Sequence, residues 1–346
     1  MRLHECITGL AAFLLLCGLL AAPACTGKND GKAPADGLEG TITISGAWAL
    51  YPMAVRWAEE FERLHPHVRI DVAAGGAGKG MADALARVVD LGAVSRDLYP
   101  VEIEKGAWHV SVVKDAVVPT VNARNPVIAE LLHSGASREM LARIWLENGA
   151  SSWGDLVRRN TGPPVRVYTR SDACGAAQIW ALFLGGEQDD LLGVGVYGDP
   201  GVAVAVSSDE LGIGYNNMNY AYDQETERQV EGIRVLPIDL NGNGHIDPRE
   251  DFYETRGELA GAIADGRYPS PPARDLHFVS RGRPERLVVL KFLEWVLTDG
   301  QAYVHETGYI PLGGERLEAE RGKLGDRGAQ HEDTDTEETA GSRGAS

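Results

Sequence analysis

A short polar turn, Thr169–Ala176 (TRSDACGA), places an arginine, a serine and an aspartate directly before a predicted helix. Backbone N–H groups at the start of a helix favour an anion, and Arg170 would add positive charge. The turn has few hydroxyls, and Cys174 lies among small residues there. Because a thiol is a weak donor, these residues indicate a small-anion site that is poor in side-chain hydrogen bonds.

Three further turns connect a predicted strand to a predicted helix. They are Ser45–Pro52 (SGAWALYP), Gly75–Met81 (GGAGKGM) and Val94–Tyr99 (VSRDLY). The second turn carries Lys79 and the third carries Arg96. In open α/β sheets, ligands lie beyond the carboxyl ends of the strands. We therefore expect these turns and Thr169–Ala176 to surround one anion.

Strands alternate with helices along the chain, which predicts an α/β fold with a parallel or mixed sheet and helices on both faces. The predicted strands are 41–45, 68–74, 91–95, 110–122 (a strand pair or a crossover), 165–168, 202–206, 233–239 and 276–280. The predicted helices are 51–64, 81–89, 137–147, 176–184, 257–265 and 284–298, and the LGIGY segment at 211–215 is predicted to be a turn.

The charge and the chain ends narrow the class of protein. The net charge of −17 argues against nucleic acid, which selects basic surfaces. An apolar run followed by small residues and Cys25 is typical of a secretory signal, so we predict a lipoprotein signal peptide over 1–25. Cys25 would carry the lipid; the alternative is simple cleavage that leaves a free cysteine. We predict a flexible tether over 26–40 and a disordered acidic tail over 316–346.

The order of these motifs resembles the phosphate-binding receptors of bacterial ABC importers, in the type II periplasmic binding protein superfamily. The matching segments are ITISGAWALYP, WAEEFERLHPHVRIDVAAGGAGKGM, VDLGAVSRDL, RSDACGA, LGIGYNN and GRYPSPPARDLHFV. The resemblance implies mixed sheets in two lobes joined by hinge crossovers, with lobe 1 over 41–118 plus 270–315 and lobe 2 over 119–269. It implies an exported, lipid-anchored, monomeric receptor that delivers an oxyanion to an ABC permease and ATPase complex. It does not imply an enzyme; a phosphate-ester hydrolase would need a nucleophile beside a base, or metal ligands in the cleft.

The resemblance also implies which residues surround the ligand. They are Ser45, Gly46, Ala47, Trp48, Gly78, Lys79, Ser95, Arg96, Asp97, Arg170, Ser171, Asp172, Cys174, Gly175 and Ala176. Alanine or cysteine stands where the family has hydroxyls, at positions 47, 49, 77, 174 and 176. The carboxylates of Asp97 and Asp172 could accept a proton from a partly protonated oxyanion and reject sulfate.

Three interpretations of this hydroxyl-poor site stay open. The ligand is phosphate held by backbone and cations, or another anion with an organic part against Trp48, or the site has lost ligand binding. In the last case the chain would be a non-transporting envelope lipoprotein that keeps the fold. Single residues have structural alternatives: Arg96 pairs only with Asp97, Trp48 belongs to the core, and Cys174 is a small buried filler.

The segment Asp239–Glu250 (DLNGNGHIDPRE) follows the spacing of an EF-hand calcium loop. The predicted ligands are Asp239, Asn241, Asn243, the His245 carbonyl, Asp247 and Glu250, with Gly244 at the sharp turn. The entering segment is a predicted strand, so we expect a lone structural Ca²⁺ loop, packed down by Phe252 and Tyr253 at the start of the next helix. The alternative is an Asx-rich turn without metal.

Overall fold

The computed structural model describes residues 37–147 and 152–325. The predicted signal peptide, Cys25, most of the tether and the tail beyond 325 lie outside the described residues. The strands are β1 (Gly40–Gly46), β2 (Val68–Ala74), β3 (Leu91–Val94), β4 (Ala107–Asn122), β5 (Ala136–Ser137), β6 (Arg166–Arg170), β7 (Val194–Val196), β8 (Gly212–Asn217), β9 (Ile233–Val235), β10 (Ile238–Asp239) and β11 (Ala273–Arg281).

The α-helices flank the sheet. They are α1 (Tyr51–Leu64), α2 (Ala77–Leu85), α3 (Pro100–Glu104), α4 (Ile128–Ser134), α5 (Arg138–Trp145), α6 (Trp153–Leu156), α7 (Gly175–Leu184), α8 (Gly198–Ser208), α9 (Met218–Ala221), α10 (Arg256–Ala264), α11 (Leu287–Val296) and α12 (Gly314–Gly325). Among these described helices, none has the length and apolar character needed to cross a bilayer.

The main sheet is mixed, which confirms the predicted α/β class. Its strand order is β2-β1-β3-β11-β4-β8-β6-β7, and β9 pairs with β4 outside this path. β1 pairs in parallel with β2 and β3, whereas β11 and β4 run antiparallel to each other. The strand predicted over 110–122 is thus one long strand, β4, at the centre of the sheet.

Three hydrophobic clusters of described residues lie along this sheet; two are large, called the first and second core below, and the third contains Val202, Val206 and Ile233. The first core contains residues from Leu38 to Val113 and from Leu276 to Tyr309. The second contains residues from Ala116 to Ala273 together with Ile310. The chain therefore passes from one core to the other within β4 and within β11. These crossings lie within a few residues of the predicted lobe limits, which stay a prediction.

Four predicted elements are wrong. The segment 202–206 is helix α8, because Asp199, Val202 and Val206 share a buried face while Val204 is 64% exposed. The LGIGY segment is strand β8, which pairs with β4 and β6. Helix α2 begins at Ala77, four residues before the predicted start at 81. The predicted strand 233–239 is divided into β9 and β10.

The tail prediction is wrong for its first ten residues. Residues 316–325 belong to helix α12, which packs on β4. Its Glu320 is 1% exposed and accepts the Ser111 backbone N–H at 3.0 Å. Lys323 and Arg316 also pair with Glu320, so local charges compensate its burial. Leu317 and Leu324 of the same helix pack against the first core, so the segment is held by these apolar contacts together with the buried Glu320.

Candidate functional site

The four predicted turns lie at the carboxyl ends of β1, β2, β3 and β6, and turns from the two cores contact each other. The Gly78 N–H, in the first turn of α2, donates to the Ala173 carbonyl at 3.1 Å. Gly175, at the start of α7, packs on Ser95, and a Cβ at position 175 would lie 2.3 Å from the Ser95 Oγ. Only glycine therefore fits between α7 and β3 at this approach.

Arg170, the last residue of β6, is buried where these turns meet. Its Nε and Nη2 donate to the two carboxylate oxygens of Asp172 at 2.7 and 2.6 Å. Its Nη1 donates to Asp199 Oδ2 at 2.5 Å. Burial lowers the pKa of the guanidinium, but Asp199 and Asp172 outweigh burial, and the pKa is raised above its ordinary value. Arg170 thus stays charged and has two carboxylate partners.

Arg96, after β3, is also buried and paired. Its Nη1 and Nη2 donate to the two oxygens of Glu102 at 2.9 and 2.7 Å. Its guanidinium lies 3.9 Å above the Tyr99 ring. Burial raises the pKa of Glu102, but hydrogen bonds from Arg96 and the Tyr99 N–H lower it further, so the net shift is downward. Asp97 is exposed, and only its carbonyl contacts Arg96, at 2.8 Å. The alternative of an Arg96–Asp97 ion pair is wrong.

Lys79 and Ser45 converge on one carboxylate, that of Asp83 in α2. The Ser45 hydroxyl donates to Asp83 Oδ2 at 2.6 Å, and Lys79 Nζ forms an ion pair with the same oxygen. Burial raises the pKa of Asp83, but the two donors lower it more, so the net shift is downward. Both predicted site residues therefore face a partner within the protein.

The site is poor in hydroxyls, as the sequence indicates. Ala47, Ala77 and Ala176 are buried at its lining, each no more than 2% exposed. The Cys174 Sγ accepts the Ala177 N–H at 3.4 Å and so caps helix α7. Burial raises the pKa of the Cys174 thiol to about 12, and the thiol stays protonated. Cys174 is thus a buried cap with little donor strength.

The structure places three further predicted site residues differently around Arg170. They are Gly46, Ser171 and Asp172. Gly46 has φ 134°, and its carbonyl accepts the Gly75 and Gly76 N–H groups at 2.8 and 3.0 Å. Ser171 is exposed, so the structure does not bring its hydroxyl among the buried groups. Asp172 lies at the centre, where it also accepts the Gly198 N–H at 3.2 Å.

Trp48 joins the two sides of the site through aromatic contacts. Its ring lies 6.2 Å from the Tyr197 ring in an edge-on arrangement, and its carbonyl accepts the Tyr220 hydroxyl at 3.1 Å. Among the described residues, the buried Trp48 Nε1 has no hydrogen-bond partner. Trp48 is only half-buried. It therefore lies at the rim of the site and not in either core.

Sequence reasoning missed the three carboxylates that pair with the predicted cations. Asp83 lies four residues after Lys79, a spacing that would have shown the pair if α2 had been started at Ala77. Asp199 was not recognised as a partner of Arg170 because the segment after it was predicted as a strand. Its Asp-Pro pair at a helix start is the signal that could have found it. Glu102 lies on α3, which was not predicted.

The Asp239–Glu250 loop follows strand β10, as predicted, and its side chains bind its own backbone. Asp239 accepts the Gly242 and Gly244 N–H groups at 2.8 and 2.9 Å, and Glu250 accepts the Leu240 N–H at 2.8 Å. In the described part of the chain, no group of three or more His, Cys, Asp or Glu side chains is arranged to hold a metal ion. The calcium site stays a prediction. Phe252 and Tyr253 are buried but precede α10, so their predicted helical start is wrong.

Comparisons with known proteins agree with this architecture. A family model described as a PBP superfamily domain matches residues 31–300. The chain is 26% identical to the phosphate-binding protein PstS of Methanocaldococcus jannaschii, over 88% of this chain and 92% of that protein. It is 29% identical to a PstS of Pasteurella multocida, over 79% of this chain and 86% of that protein. A similar solved structure is that of an ABC transporter substrate-binding protein with bound phosphate, from Clostridium perfringens. Its TM-score with this chain is 0.65 at 19% sequence identity, and the match covers 79% of this chain and 100% of that chain.

Proposed function

We propose that this chain, which belongs to the PBP superfamily, captures phosphate or a related oxyanion at the four turns and delivers it to an ABC permease. The observation that carries the proposal is the position of Arg170. It is buried where turns from the two cores meet, beside the starts of α2 and α7. The relatives named phosphate-binding protein PstS favour phosphate as the ligand.

The ligand would use backbone donors where side-chain hydroxyls are absent. The Gly78 N–H lies in the first turn of α2, where the helix dipole favours an anion over the neutral Ala173 carbonyl. An oxyanion that replaces this carbonyl would gain a charge-assisted hydrogen bond at Gly78. Binding would therefore separate Ala173 from α2 and exchange an internal contact for a contact with the ligand.

The proposal also concerns the location of the receptor, its oligomeric state and its partner complex. The protein would be exported, anchored by a lipid on Cys25, and monomeric, with the permease and ATPase complex as its partner. The proposed role is binding without catalysis, and Cys174, the free cysteine of the described residues, has a buried thiol that stays protonated and is a poor nucleophile.

Calorimetric titration tests the proposal. The chain from residue 26 onward keeps every described residue; bound ligand is removed by unfolding and refolding with calcium present. Phosphate, arsenate, sulfate and molybdate are then titrated in turn. We expect phosphate to bind with a Kd of about 1 μM or tighter, which corresponds to about 8 kcal/mol. Absence of heat with phosphate would contradict phosphate capture.

Arg170→Ala assigns the binding to this site. Arg166→Ala is the matched control, because Arg166 lies on the same strand but is exposed and pairs with Asp209 at 2.9 Å. We expect Arg170→Ala to lose phosphate binding at least about a hundredfold and Arg166→Ala to keep it. Because Arg170→Ala leaves Asp199 buried without its cation, circular dichroism must show that the variant is folded.

A second candidate is an anion with an organic part. The observation that favours it is the buried Trp48 Nε1, which has no partner among the described residues and lies at the rim beside Tyr197. An organic phosphate could accept a hydrogen bond there and pack on both rings. Binding of phosphate monoesters in preference to inorganic phosphate, lost in Trp48→Phe, would support this candidate.

A further inference from the structure

The first-core part of the sheet has a second end, away from the four turns, where cations collect. This end contains the amino ends of β1, β2 and β3 and the carboxyl end of β11, which runs antiparallel to β3. Four loops lie there: α1–β2, α2–β3, α3–β4 and β11–α11. We call this surface the basic end, after the cations Arg87, Lys105, Arg281, Arg283 and Arg286.

Hydrogen bonds bring these loops side by side. Arg281 Nη1 donates to the Leu85 carbonyl, at the end of α2, at 3.3 Å. Arg286 donates to Asp90 and to the Thr41 carbonyl at 2.5 and 2.7 Å. Because Arg281 donates to a neutral carbonyl and is exposed, its positive charge stays at the surface.

The basic end differs in charge from the chain as a whole. The chain has a net charge of −17, but the five cations of the basic end outnumber the carboxylates of its loops and of the entry to β1, which are Glu39, Asp90 and Glu285. Arg283 also directs its Nε to a carbonyl, that of Leu324, at 2.9 Å. The basic end therefore attracts an anionic partner, although the whole protein is acidic.

Exposed apolar side chains lie among these cations. Val88 is 69% exposed, Leu287 is 63% exposed and Leu64, at the end of α1, is 47% exposed. Arg87 has φ 56°, a left-handed conformation that favours glycine at the end of a helix. The next N–H, that of Val88, donates back to the Asp83 carbonyl at 2.9 Å. The apolar residue after such a cap frequently packs on its helix, whereas Val88 points to solvent beside a cation.

Cations mixed with exposed apolar side chains match the surface of an anionic bilayer. Headgroup charge attracts Lys and Arg, and apolar side chains enter the boundary between headgroups and acyl chains. The length of chain before β1 favours the same partner. Cys25 precedes Gly37, the first described residue, by twelve residues, which span at most about 40 Å. The lipid proposed on Cys25 would hold the basic end within that distance of a membrane, because β1 begins at this end.

We infer that the basic end is a membrane-docking surface for anionic lipid headgroups, in addition to the proposed lipid anchor. The inference goes beyond the proposed function, since docking needs no oxyanion at Arg170. The four turns lie at the opposite, carboxyl ends of the strands. Docking would therefore turn the anion site away from the bilayer and give the receptor a resting orientation between rounds of delivery.

Co-sedimentation with vesicles tests the docking. The chain from residue 26 onward, which carries no lipid, is mixed with phosphatidylcholine vesicles with and without phosphatidylglycerol. We expect at least about fivefold more bound protein on the anionic vesicles at about 0.1 M salt. This difference should disappear at about 1 M salt, where the Debye length falls from about 10 Å to about 3 Å. Equal binding to both vesicle types, or binding to neither, overturns the inference.

Arg87→Gly combined with Lys105→Gln assigns the binding to the basic end. Glycine accepts the left-handed conformation at position 87 without strain, so the fold should be kept. We expect binding to anionic vesicles to fall at least about threefold. Arg124→Gln combined with Arg228→Gln is the matched control, because it removes the same charge from exposed ion pairs on the second-core side. An equal loss in both double variants would mean that net charge alone acts, and would overturn the assignment.

The acidic run Glu332–Glu338 is the other candidate occupant of the basic end. A chain of residues 26–325 keeps every described residue and lacks this run. We expect both chains to bind anionic vesicles; binding by the shorter chain alone would assign the basic end to the tail and overturn the inference. Phosphate calorimetry reports on the other end of the strands, so failure of the proposed function and failure of docking are separate results.

Discussion

Cys174 caps helix α7 through its Sγ, and we propose that the same atom faces the bound oxyanion. Its Sγ caps α7 by accepting the Ala177 N–H at 3.4 Å, and it is buried close to Arg170. Sulfur is a weak acceptor and a thiol is a weak donor. We expect Cys174→Ser to strengthen the cap and to add a hydroxyl donor for the oxyanion. Calorimetry should show phosphate affinity increased about threefold to tenfold, the effect of one hydrogen bond of about 1 kcal/mol.

Cys174→Ala is the matched control for this substitution. It removes the cap without adding a donor, so denaturant unfolding should show a loss of about 1 kcal/mol. Its phosphate affinity should not exceed that of the natural chain. Equal affinity in the serine variant and the natural chain would mean that position 174 does not contact the ligand.

At the residue scale, the sequence predicted the cations of the site better than their partners. Arg170, Arg96 and Lys79 were located because each follows a strand that can be recognised from local pattern. Partners such as Glu102 and Asp199 could not be located in this way, because their contacts with the cations depend on which helices form and how those helices pack. Local sequence signals for such pairings are weak, because an ion pair constrains distance in space and not distance along the chain.

At the scale of elements, the Asp239–Glu250 loop carries a separate prediction. We propose that it binds Ca²⁺ with the modest Kd of extracellular modules, about 10⁻⁴–10⁻³ M. Asp239 and Glu250 are buried, and their oxygens already gather the loop's amides. After removal of metal by a chelator, about 10 mM Ca²⁺ should stabilise the fold by about 1.5–2.5 kcal/mol. Differential scanning calorimetry would show this as a rise in Tm of several degrees.

Glu250→Gln should abolish the calcium-dependent rise in Tm, since it removes the charge of the predicted bidentate ligand. Glu254→Gln is the control, because Glu254 is exposed and pairs with Arg228 at 3.4 Å outside the loop. A rise of equal size in Glu250→Gln, or no rise in the natural chain, would favour an Asx-rich turn without metal.

The elements also show where sequence patterns fail. Helix α1 and strand β2 were predicted at their observed limits, because each has a clear period of buried residues. The VAVAV run of α8 has strand-forming residues, yet packing against β8 and β4 selects the helix. Gly214 of β8 explains part of this choice: a Cβ there would lie 2.7 Å from Val202 Cγ1, so glycine lets α8 approach the sheet.

At the scale of the whole molecule, β4 and β11 connect the two cores, and one buried ion pair lies where they cross. Arg274 Nη1 donates to Asp115 Oδ2 at 3.3 Å, and the two residues are opposite each other in the ladder. The same guanidinium donates to the Ser95 carbonyl at 3.3 Å and to Asn217 Oδ1. Both strands were predicted, but the pair was not, because their register follows from the complete sheet.

The Arg274–Asp115 ion pair predicts how the free energy of unfolding changes with pH. Burial raises the pKa of Asp115 to about 6, because desolvation outweighs the attraction of Arg274. The unfolded carboxyl has a pKa of about 3.9, so between these values the folded state binds the proton more tightly and stability falls as pH rises. Relative to Asp115→Asn, which does not titrate, the natural chain should lose up to about 3 kcal/mol of unfolding free energy from about pH 4 to about pH 7.

Asp209→Asn gives a control of opposite sign. Burial raises the pKa of Asp209, but its hydrogen bonds lower it more, so the stability that Asp209 confers is lost as pH falls. Denaturant unfolding across this range measures both differences. A difference for Asp115 that is flat or rises with pH would mean that Arg274 keeps the carboxylate charged, and that the crossing is an ion pair at every pH at which the protein folds.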